Sequence, residues 1–271
     1  SLDYPGSRSL VESLLTRSAN NPVVEHALYL KAQIAAAERN WDEARDSFAK
    51  ILEQFPNTTQ RRAIEYGLAE ADAQQGKYAP AAERLQRLID ETPRAQRPEW
   101  FPLAHLRLAQ ALASQDKWAE AHDVAAAIET EFPGFAEQYE ADFIVGRGLA
   151  AQADFEAARR SYQKVLESPN GGKTETAAKA RLMIAETYFH QRNYNAARKT
   201  YLDVEALYAY PEIQSAALFM AARCHENLGE WREAAELYGQ IMNHYPQTGH
   251  ARQAGERRRA AQQRAAAGPA S

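Results

Sequence analysis

The sequence repeats itself at intervals of 37 to 40 residues. Six short segments begin with an aromatic residue that is followed three positions later by Ala, and their aromatic residues lie 37, 40, 37, 39 and 37 residues apart. The segments are WDEA (41–44), YAPA (78–81), WAEA (118–121), FEAA (155–158), YNAA (194–197) and WREA (231–234). A period of this length indicates an array of stacked supersecondary units, each of which needs its neighbours to bury an apolar face.

Three columns come into register when the repeats are aligned on the aromatic residue. A small residue lies nine positions before it, Ala lies three positions after it, and an aliphatic residue lies ten positions after it. These columns are Ala32, Ala69, Ala109, Gly146, Ala185 and Ala222; Ala44, Ala81, Ala121, Ala158, Ala197 and Ala234; and Ile51, Leu88, Ile128, Val165, Val204 and Ile241. Small side chains let two backbones approach closely, so the two small columns are predicted to meet where two helices cross. The aromatic and aliphatic columns are predicted to fill the space beside that crossing.

Each repeat is predicted to contain two helices joined by a tight turn. Apolar and small residues fall at helical spacing before the aromatic residue, as in 104–113, and after it, as in 43–52. Pro56, Pro93, Pro133 and Pro246 are predicted to end second helices, whereas Pro169 and Pro211 are displaced and predict linkers of another shape. The six repeats span 25–60, 61–101, 102–138, 139–176, 177–213 and 214–248.

The two ends of the chain depart from the repeat. Residues 1–24 are predicted to form the second half of an incomplete leading repeat, with an amphipathic helix over 7–20 that Pro22 closes. Residues 249–271 are predicted to form a capping helix with a polar outer face over 249–266, as the end of a repeat array requires, and a disordered tail, AAAGPAS.

Composition and motifs disfavour several classes of function. The net charge of −4 implies no general affinity for nucleic acid or acidic membranes, and no apolar run is long enough to span a bilayer. The opening ten residues lack the pattern of a cleavable signal, and the single Cys224 excludes an internal disulfide without fixing the redox compartment.

No pattern of residues predicts catalysis, a cofactor or a metal. The segment 168–176 contains GGKT, but a phosphate-binding loop needs a glycine where Glu167 stands and a strand before it, so a linker is favoured. The seven histidines show no paired spacing for a metal, and Cys224 is predicted to be buried and inert. Residues 252–264 carry five Arg and one Glu; a solvated capping helix is favoured there over a basic patch for a phosphate-bearing or acidic partner.

The pattern of small residues and prolines resembles the tetratricopeptide repeat family across residues 25–248. The similarity is greatest in ALYLKAQIAAAERNWDEARDSFAKILEQFP (27–56) and ALFMAARCHENLGEWREAAELYGQIMNHYP (217–246), although the family's usual period is 34 residues. The resemblance implies an all-α, right-handed α-α superhelix of about six helical hairpins. Repeats that end in FP or YP also resemble those of bacterial envelope members, such as the Tol-Pal-associated periplasmic protein and the lipoprotein of the outer-membrane assembly machinery.

The resemblance also implies a concave groove lined by the first helix of each repeat. The residue twelve positions before the turn aromatic points into this groove in the family, and the residue four positions further on flanks it. The predicted lining residues are Tyr29, Tyr66, Leu106, Phe143, Leu182 and Phe219, flanked by Gln33, Glu70, Gln110, Arg147, Glu186 and Arg223. The alternative is that the longer repeats bury these side chains between adjacent first helices. The Lys and Asn of the family's carboxylate-clamp members are missing from these positions, which disfavours a chaperone C-terminus as ligand.

These features together predict a non-catalytic scaffold or adaptor that binds a protein or peptide segment, with no small-molecule substrate. A bacterial envelope complex is the favoured setting, with the periplasm preferred over the cytoplasm. The alternative is an interaction module of a larger regulatory or catalytic protein. Nucleic-acid binding through the Arg-rich end is a third hypothesis, and it predicts an affinity that falls steeply with salt.

Overall fold

The computed structural model describes residues 4–17 and 22–267. Within these ranges the chain forms fourteen α-helices and one short 3-10 helix, and no β-strand, which confirms the predicted all-α fold. The helices are α1 (Tyr4–Arg17), α2 (Pro22–Ala37), α3 (Trp41–Gln54), α4 (Arg61–Gln74), α5 (Tyr78–Asp90), α6 (Phe101–Ala113), α7 (Trp118–Glu131), α8 (Gln138–Ala151), α9 (Phe155–Glu167), α10 (Glu175–His190), α11 (Tyr194–Leu207), α12 (Pro211–Leu228), α13 (Trp231–His244) and α14 (His250–Ala267), with the 3-10 helix at Arg94–Gln96.

The chain divides into two compact units, which we call the N-terminal unit (Ser1–Val124) and the C-terminal unit (Ala125–Ser271). In the N-terminal unit each helix from α1 to α6 packs on the next one along the chain, and α4 also contacts α6. In the C-terminal unit α8 to α14 pack in the same consecutive way, and α8, α10, α12 and α14 also touch in succession. Contacts between near neighbours in sequence are what a repeat array predicts.

The turn between the two helices of every repeat contains a residue in the left-handed conformation. This residue lies two positions before the aromatic, and its φ angle is between 58° and 78°. The six residues are Arg39, Gly76, Asp116, Ala153, Arg192 and Gly229. The next residue donates its backbone N–H to a carbonyl five residues earlier, as Lys77 does to Asp72 at 2.8 Å. This is the Schellman arrangement, which satisfies carbonyls at the end of the first helix.

The residue directly before the aromatic caps the second helix in three of the repeats. The side-chain oxygens of Asn40, Asp154 and Asn193 accept hydrogen bonds from backbone N–H groups three residues further on. These groups would otherwise lack an intrahelical acceptor. In these three repeats, backbone carbonyls at the end of the first helix and backbone N–H groups at the start of the second helix therefore both have hydrogen-bond partners within the turn.

The predicted small and aliphatic columns form the core. The six Ala residues three positions after the aromatic are all fully buried, and in the small column nine positions before it the five Ala residues are also 0% exposed. The prediction for the turn aromatics is only partly right. Five of them are half-buried, and Tyr78, the first residue of α5, is 37% exposed.

A core column that was not predicted from the sequence lies seven positions after the aromatic. Its members are all buried and occupy the place beside the helix crossing that had been assigned to the turn aromatics: Phe48, Leu85, Ala125, Tyr162, Tyr201 and Tyr238. The repeats therefore bury one large side chain from the middle of most second helices, rather than the one at the turn.

The helix ends differ in detail from the predictions. Pro22 does not close α1 but is the first residue of α2, and Pro211 likewise begins α12, since proline suits the first turn of a helix. Of the predicted helix over 7–20, residues 18–20 lie outside the described residues. The predicted tail begins too early, because α14 continues to Ala267; the rest of it, 268–271, is outside the described range. None of the described helices has the length and apolar character needed to cross a membrane.

Candidate functional site

The first-helix positions of the N-terminal unit form a partly exposed polar and aromatic surface. We call Tyr29, Gln33, Tyr66, Glu70 and Gln110 the N-terminal surface. Gln33 is exposed and the other four are half-buried. The ring of Tyr29 meets that of Phe48 edge to face at 5.8 Å, and burial raises the pKa of the Tyr29 phenol.

Neighbouring side chains hold the middle of this surface in place. The Tyr66 ring lies 5.1 Å from that of Trp100, which immediately precedes α6. Arg107 donates from Nε to Glu70 at 2.7 Å and from Nη1 to Gln110 at 2.7 Å. Burial opposes the charge of Arg107, but Glu70 and Tyr66 outweigh it, so the pKa of the guanidinium is raised. The guanidinium of Arg107 and the carboxylate of Glu70 therefore hold each other in place.

The corresponding positions of the C-terminal unit combine apolar and basic groups. We call Phe143, Arg147, Leu182, Glu186 and Arg223 the C-terminal surface, and all five are half-buried. The Phe143 ring lies 5.8 Å from the buried ring of Tyr162. Arg223 lies 5.2 Å over the ring of Phe189. Its guanidinium is thus held against an aromatic face, an arrangement that is favourable when partly desolvated.

Methionine sulfur atoms lie beside both arginines of the C-terminal surface. Nη1 of Arg147 is 3.7 Å from the sulfur of Met183, and Nη1 of Arg223 is 3.6 Å from that of Met220. Met183 and Met220 are themselves half-buried. Methionine adapts to varied shapes and is common on surfaces that bind other proteins. Neither methionine is among the residues predicted from the sequence, although they share one column, eleven positions before the turn aromatic.

Two of the predicted lining residues are not available at a surface. Leu106 is 1% exposed and Phe219 is 8% exposed. The Phe219 ring packs on Tyr238 at 5.4 Å and on His250 at 5.5 Å, so α14 contributes to its burial. The expectation that Leu106 and Phe219 line a groove is therefore wrong, because both side chains pack against other residues of the chain. The other ten predicted residues keep some exposed surface.

Buried tyrosines lie beneath the C-terminal surface. Tyr162 and Tyr201 are 0% exposed, and their hydroxyl groups have no hydrogen-bond partner among the described residues. Burial raises the pKa of both phenols. A buried hydroxyl without a partner costs stability, which makes these two side chains unusual parts of a core.

The described residues hold no cluster of three His, Cys, Asp or Glu side chains that could bind a metal. The GGKT segment is a linker, as predicted: helix α9 precedes it, and Thr174 caps α10 by accepting a hydrogen bond from the N–H of Ala177. Cys224 is fully buried, and burial raises the pKa of its thiol to about 12. The GGKT segment therefore serves as a helix linker, and Cys224 is part of the core.

Helix α14 covers the end of the C-terminal unit. Ala254 and Ala261 are buried on its inner side. Arg257 donates to Glu226 at 2.6 Å, and Arg264 lies 4.6 Å over the ring of Trp231. These two arginines stabilise the cap, which favours the capping interpretation of the Arg-rich segment over a phosphate-binding patch.

Comparison with known proteins decides the family. The family model of the tetratricopeptide repeat-like domain matches residues 19–173, which is more than half of the chain. The chain belongs to the tetratricopeptide repeat family. Two further tetratricopeptide repeat models match residues 146–212 and 216–248. No curated protein sequence matches this tetratricopeptide repeat protein.

Solved tetratricopeptide structures share its fold at low sequence identity. PilF of Pseudomonas aeruginosa is 15% identical with a TM-score of 0.61, over 93% of this chain and 98% of PilF. The quorum sensor NprR of B. thuringiensis, in its apo form, is 14% identical with a TM-score of 0.67, over 89% of this chain and 70% of NprR. A chain of the APC/C Cut9–Hcn1 hetero-tetramer is 14% identical with a TM-score of 0.65, over 94% of this chain but only 46% of that one.

Proposed function

We propose that this protein is a non-catalytic scaffold or adaptor that binds an extended or helical segment of a partner protein on its first helices. One observation carries the proposal. Tyr66 and Phe143 keep part of their surface exposed, whereas the small columns of the same helices are fully buried. Exposed apolar and aromatic side chains at regular positions are typical of protein-binding surfaces. The family, whose repeats generally form interaction scaffolds, supports the same function.

The anchoring side chains are already held in place before a partner arrives. Trp100 supports Tyr66, and Tyr162 supports Phe143. A partner that packs against such rings loses little conformational entropy in ordering them, and aromatic side chains commonly supply most of the energy of an interface. Glu70 and Arg223 then provide charges at the edges of the two surfaces, which select the partner more than they strengthen binding.

Identification of a partner and two substitutions test the proposal. Affinity capture followed by mass spectrometry identifies the partner, and calorimetry then measures its Kd. Tyr66→Ala combined with Phe143→Ala is expected to weaken binding by about 2–4 kcal/mol while the helical circular dichroism signal is retained. Tyr78→Ala, which removes an exposed aromatic from the start of a second helix, is the matched control and is expected to leave the Kd unchanged. A double variant that melts much earlier and binds normally would contradict the proposal.

A bacterial envelope assembly is the setting that we propose for this scaffold, with the periplasm preferred. The support is the ending of three second helices in an aromatic residue followed by proline, at Phe55-Pro56, Phe132-Pro133 and Tyr245-Pro246. Cell fractionation of a tagged full-length gene product tests this setting. Recovery in the periplasmic or outer-membrane fraction is expected, and recovery in the cytoplasm alone would contradict it.

The second candidate is an interaction module within a larger regulatory or catalytic protein. Its support is that this chain spans only 46% of the Cut9–Hcn1 chain, although it spans 98% of PilF. The full-length gene distinguishes the two candidates. A signal peptide or lipidated Cys would support the envelope scaffold, and an additional folded domain would support the larger protein.

A further inference from the structure

Four arginines line a cleft at one end of the helix pair α4/α5. The cleft has a volume of about 390 Å³ and lies wholly within the N-terminal unit. We call it the arginine cleft, and its lining residues are Arg61, Arg62, Glu65, Arg84, Arg87, Leu88, Glu91 and Thr92. None of these residues belongs to the N-terminal surface, so the cleft is a separate feature of the molecule.

The arginines of the cleft are only partly neutralised by their surroundings. Glu65 accepts a hydrogen bond from Arg84, and its other oxygen is 3.9 Å from Nη1 of Arg61. Arg62 donates to the uncharged Gln96 at 2.6 Å. Arg87 is exposed, and its guanidinium makes no hydrogen bond or ion pair within the described part of the chain. The lining residues comprise four arginines and two glutamates, an excess of two positive charges among them.

The hydrogen-bond donors of the cleft also outnumber its acceptors. Nε of Arg84 is buried without a hydrogen-bond acceptor among the described residues, and it lies 4.0 Å from the carboxylate of Asp72. The hydroxyl of Thr92 already donates to the carbonyl of Leu88 at 2.7 Å. Arginine has five N–H donors, so the site can accommodate additional acceptor oxygens from a ligand.

Helix stability does not explain the two arginines of α4, whereas Arg87 lies in the last turn of α5, where a basic side chain suits the helix dipole. Arg61 and Arg62 occupy the first turn of α4, where the helix dipole is positive and a basic side chain is unfavourable by roughly 0.3–1 kcal/mol. No acidic residue compensates for them in that turn. Residues that break a local stability rule are commonly those retained for binding.

We propose that the arginine cleft binds a carboxylate-bearing segment of a partner protein. The planar guanidinium fork matches a carboxylate with two parallel hydrogen bonds, and Arg62 and Arg87 are the side chains with the least internal neutralisation. Glu65 and Glu91 favour a peptide over a nucleic acid, because the sugar-phosphate backbone of a nucleic acid has no N–H donor for these two carboxylates. A peptide can place amide N–H groups or a basic side chain there.

Fluorescence anisotropy of a fluorescein-labelled polyglutamate peptide tests this site on the full chain. Arg62→Gln combined with Arg87→Gln is expected to weaken binding by about tenfold or more, since two charge-assisted contacts are lost. Arg160→Gln combined with Arg232→Gln removes the same number of charges from exposed side chains of α9 and α13 and is the matched control, with no change expected. Melting temperatures close to that of the wild type show that the variants are folded.

Three results would overturn the proposal: no binding of polyglutamate by the wild type at low salt, equal binding by the double variant and the wild type, or displacement of the peptide by a single-stranded oligonucleotide at lower concentration than by unlabelled polyglutamate. Tyr66→Ala is expected to bind polyglutamate like the wild type. The outcome is therefore independent of whether the first-helix surfaces bind a partner.

Discussion

Gly146 in α8 lies so close to the ring of Tyr162 in α9 that an added methyl group would overlap the ring carbons. We predict that Gly146→Ala lowers the free energy of unfolding by about 1–3 kcal/mol, because the ring must leave its packed position. Gly255→Ala is the control, since its methyl group would meet only Met242 at 3.6 Å. That change is expected to raise stability by about 1 kcal/mol through helix propensity. Urea unfolding measures both.

A second substitution separates steric overlap from other causes. Repeat 2 pairs Ala69 with Leu85 at the equivalent positions, and both residues are fully buried. Combining Gly146→Ala with Tyr162→Leu copies that pair and is expected to cost less than the sum of the two single changes. Strict additivity of the two effects would contradict a direct clash between these side chains.

Tyr201→Phe is predicted to stabilise the protein by about 1 kcal/mol, because the native hydroxyl is buried without a partner among the described residues. Tyr245→Phe is the matched control. The hydroxyl of Tyr245 donates to Glu205 at 3.3 Å, so its loss is expected to be neutral or slightly destabilising. Thermal melts compare the two variants. A loss of stability in Tyr201→Phe would mean that the hydroxyl has a partner such as a buried water.

The left-handed turn residues predict opposite effects at two equivalent positions. Ala153 has a φ angle of 61°, and a left-handed conformation costs a residue with a Cβ roughly 1–2 kcal/mol. Ala153→Gly is therefore expected to raise the melting temperature and Gly76→Ala to lower it. No atom lies within 4 Å of a Cβ placed at Gly76, so the second effect reports backbone conformation alone. Calorimetry measures both changes, and shifts in the same direction would contradict this account.

Cys224 is predicted to resist thiol reagents in the folded protein. Burial raises its pKa to about 12, so at pH 8 almost all of the thiol is in the neutral form, which is not the nucleophile. The side chain is also fully enclosed. Reaction with a disulfide reagent at pH 8, followed by absorbance, is expected to be slow before urea is added and rapid afterwards. Fast labelling of the native protein would contradict the burial of the Cys224 side chain.

The helical pairs could be predicted because their main determinant is side-chain size at fixed spacing. Two backbones can cross closely only where both side chains are small. The positions of Ala32 and Ala44 in repeat 1 therefore identify the helix crossing even when the rest of the structure is unknown. The turns were only partly predictable. Gly76 and Gly229 favour the left-handed conformation, whereas Ala153 and Arg192 do not, and the surrounding helix packing imposes it on them.

The candidate surfaces were less predictable than the fold. Leu106 and Tyr66 occupy the same column, yet one is buried and the other half-buried, because their neighbours on adjacent helices differ. The arginine cleft brings residues 61–65 together with residues 84–92. The sequence alone does not reveal this cluster, because its two parts lie on different helices. Charged side chains on exposed helix turns also normally have no specific role, so they do not stand out in a sequence.

Oxidative footprinting of the protein with its captured partner tests the central claim most directly, because it reports the solvent exposure of individual side chains. Partner binding is predicted to reduce the oxidation of Tyr66, Phe143 and Leu182 on the first helices. Tyr78 and Met242, which are exposed on second helices, should be oxidised at the same rate with and without the partner. Protection of Tyr78 and Met242, with Tyr66 and Phe143 unchanged, would contradict binding on the first helices.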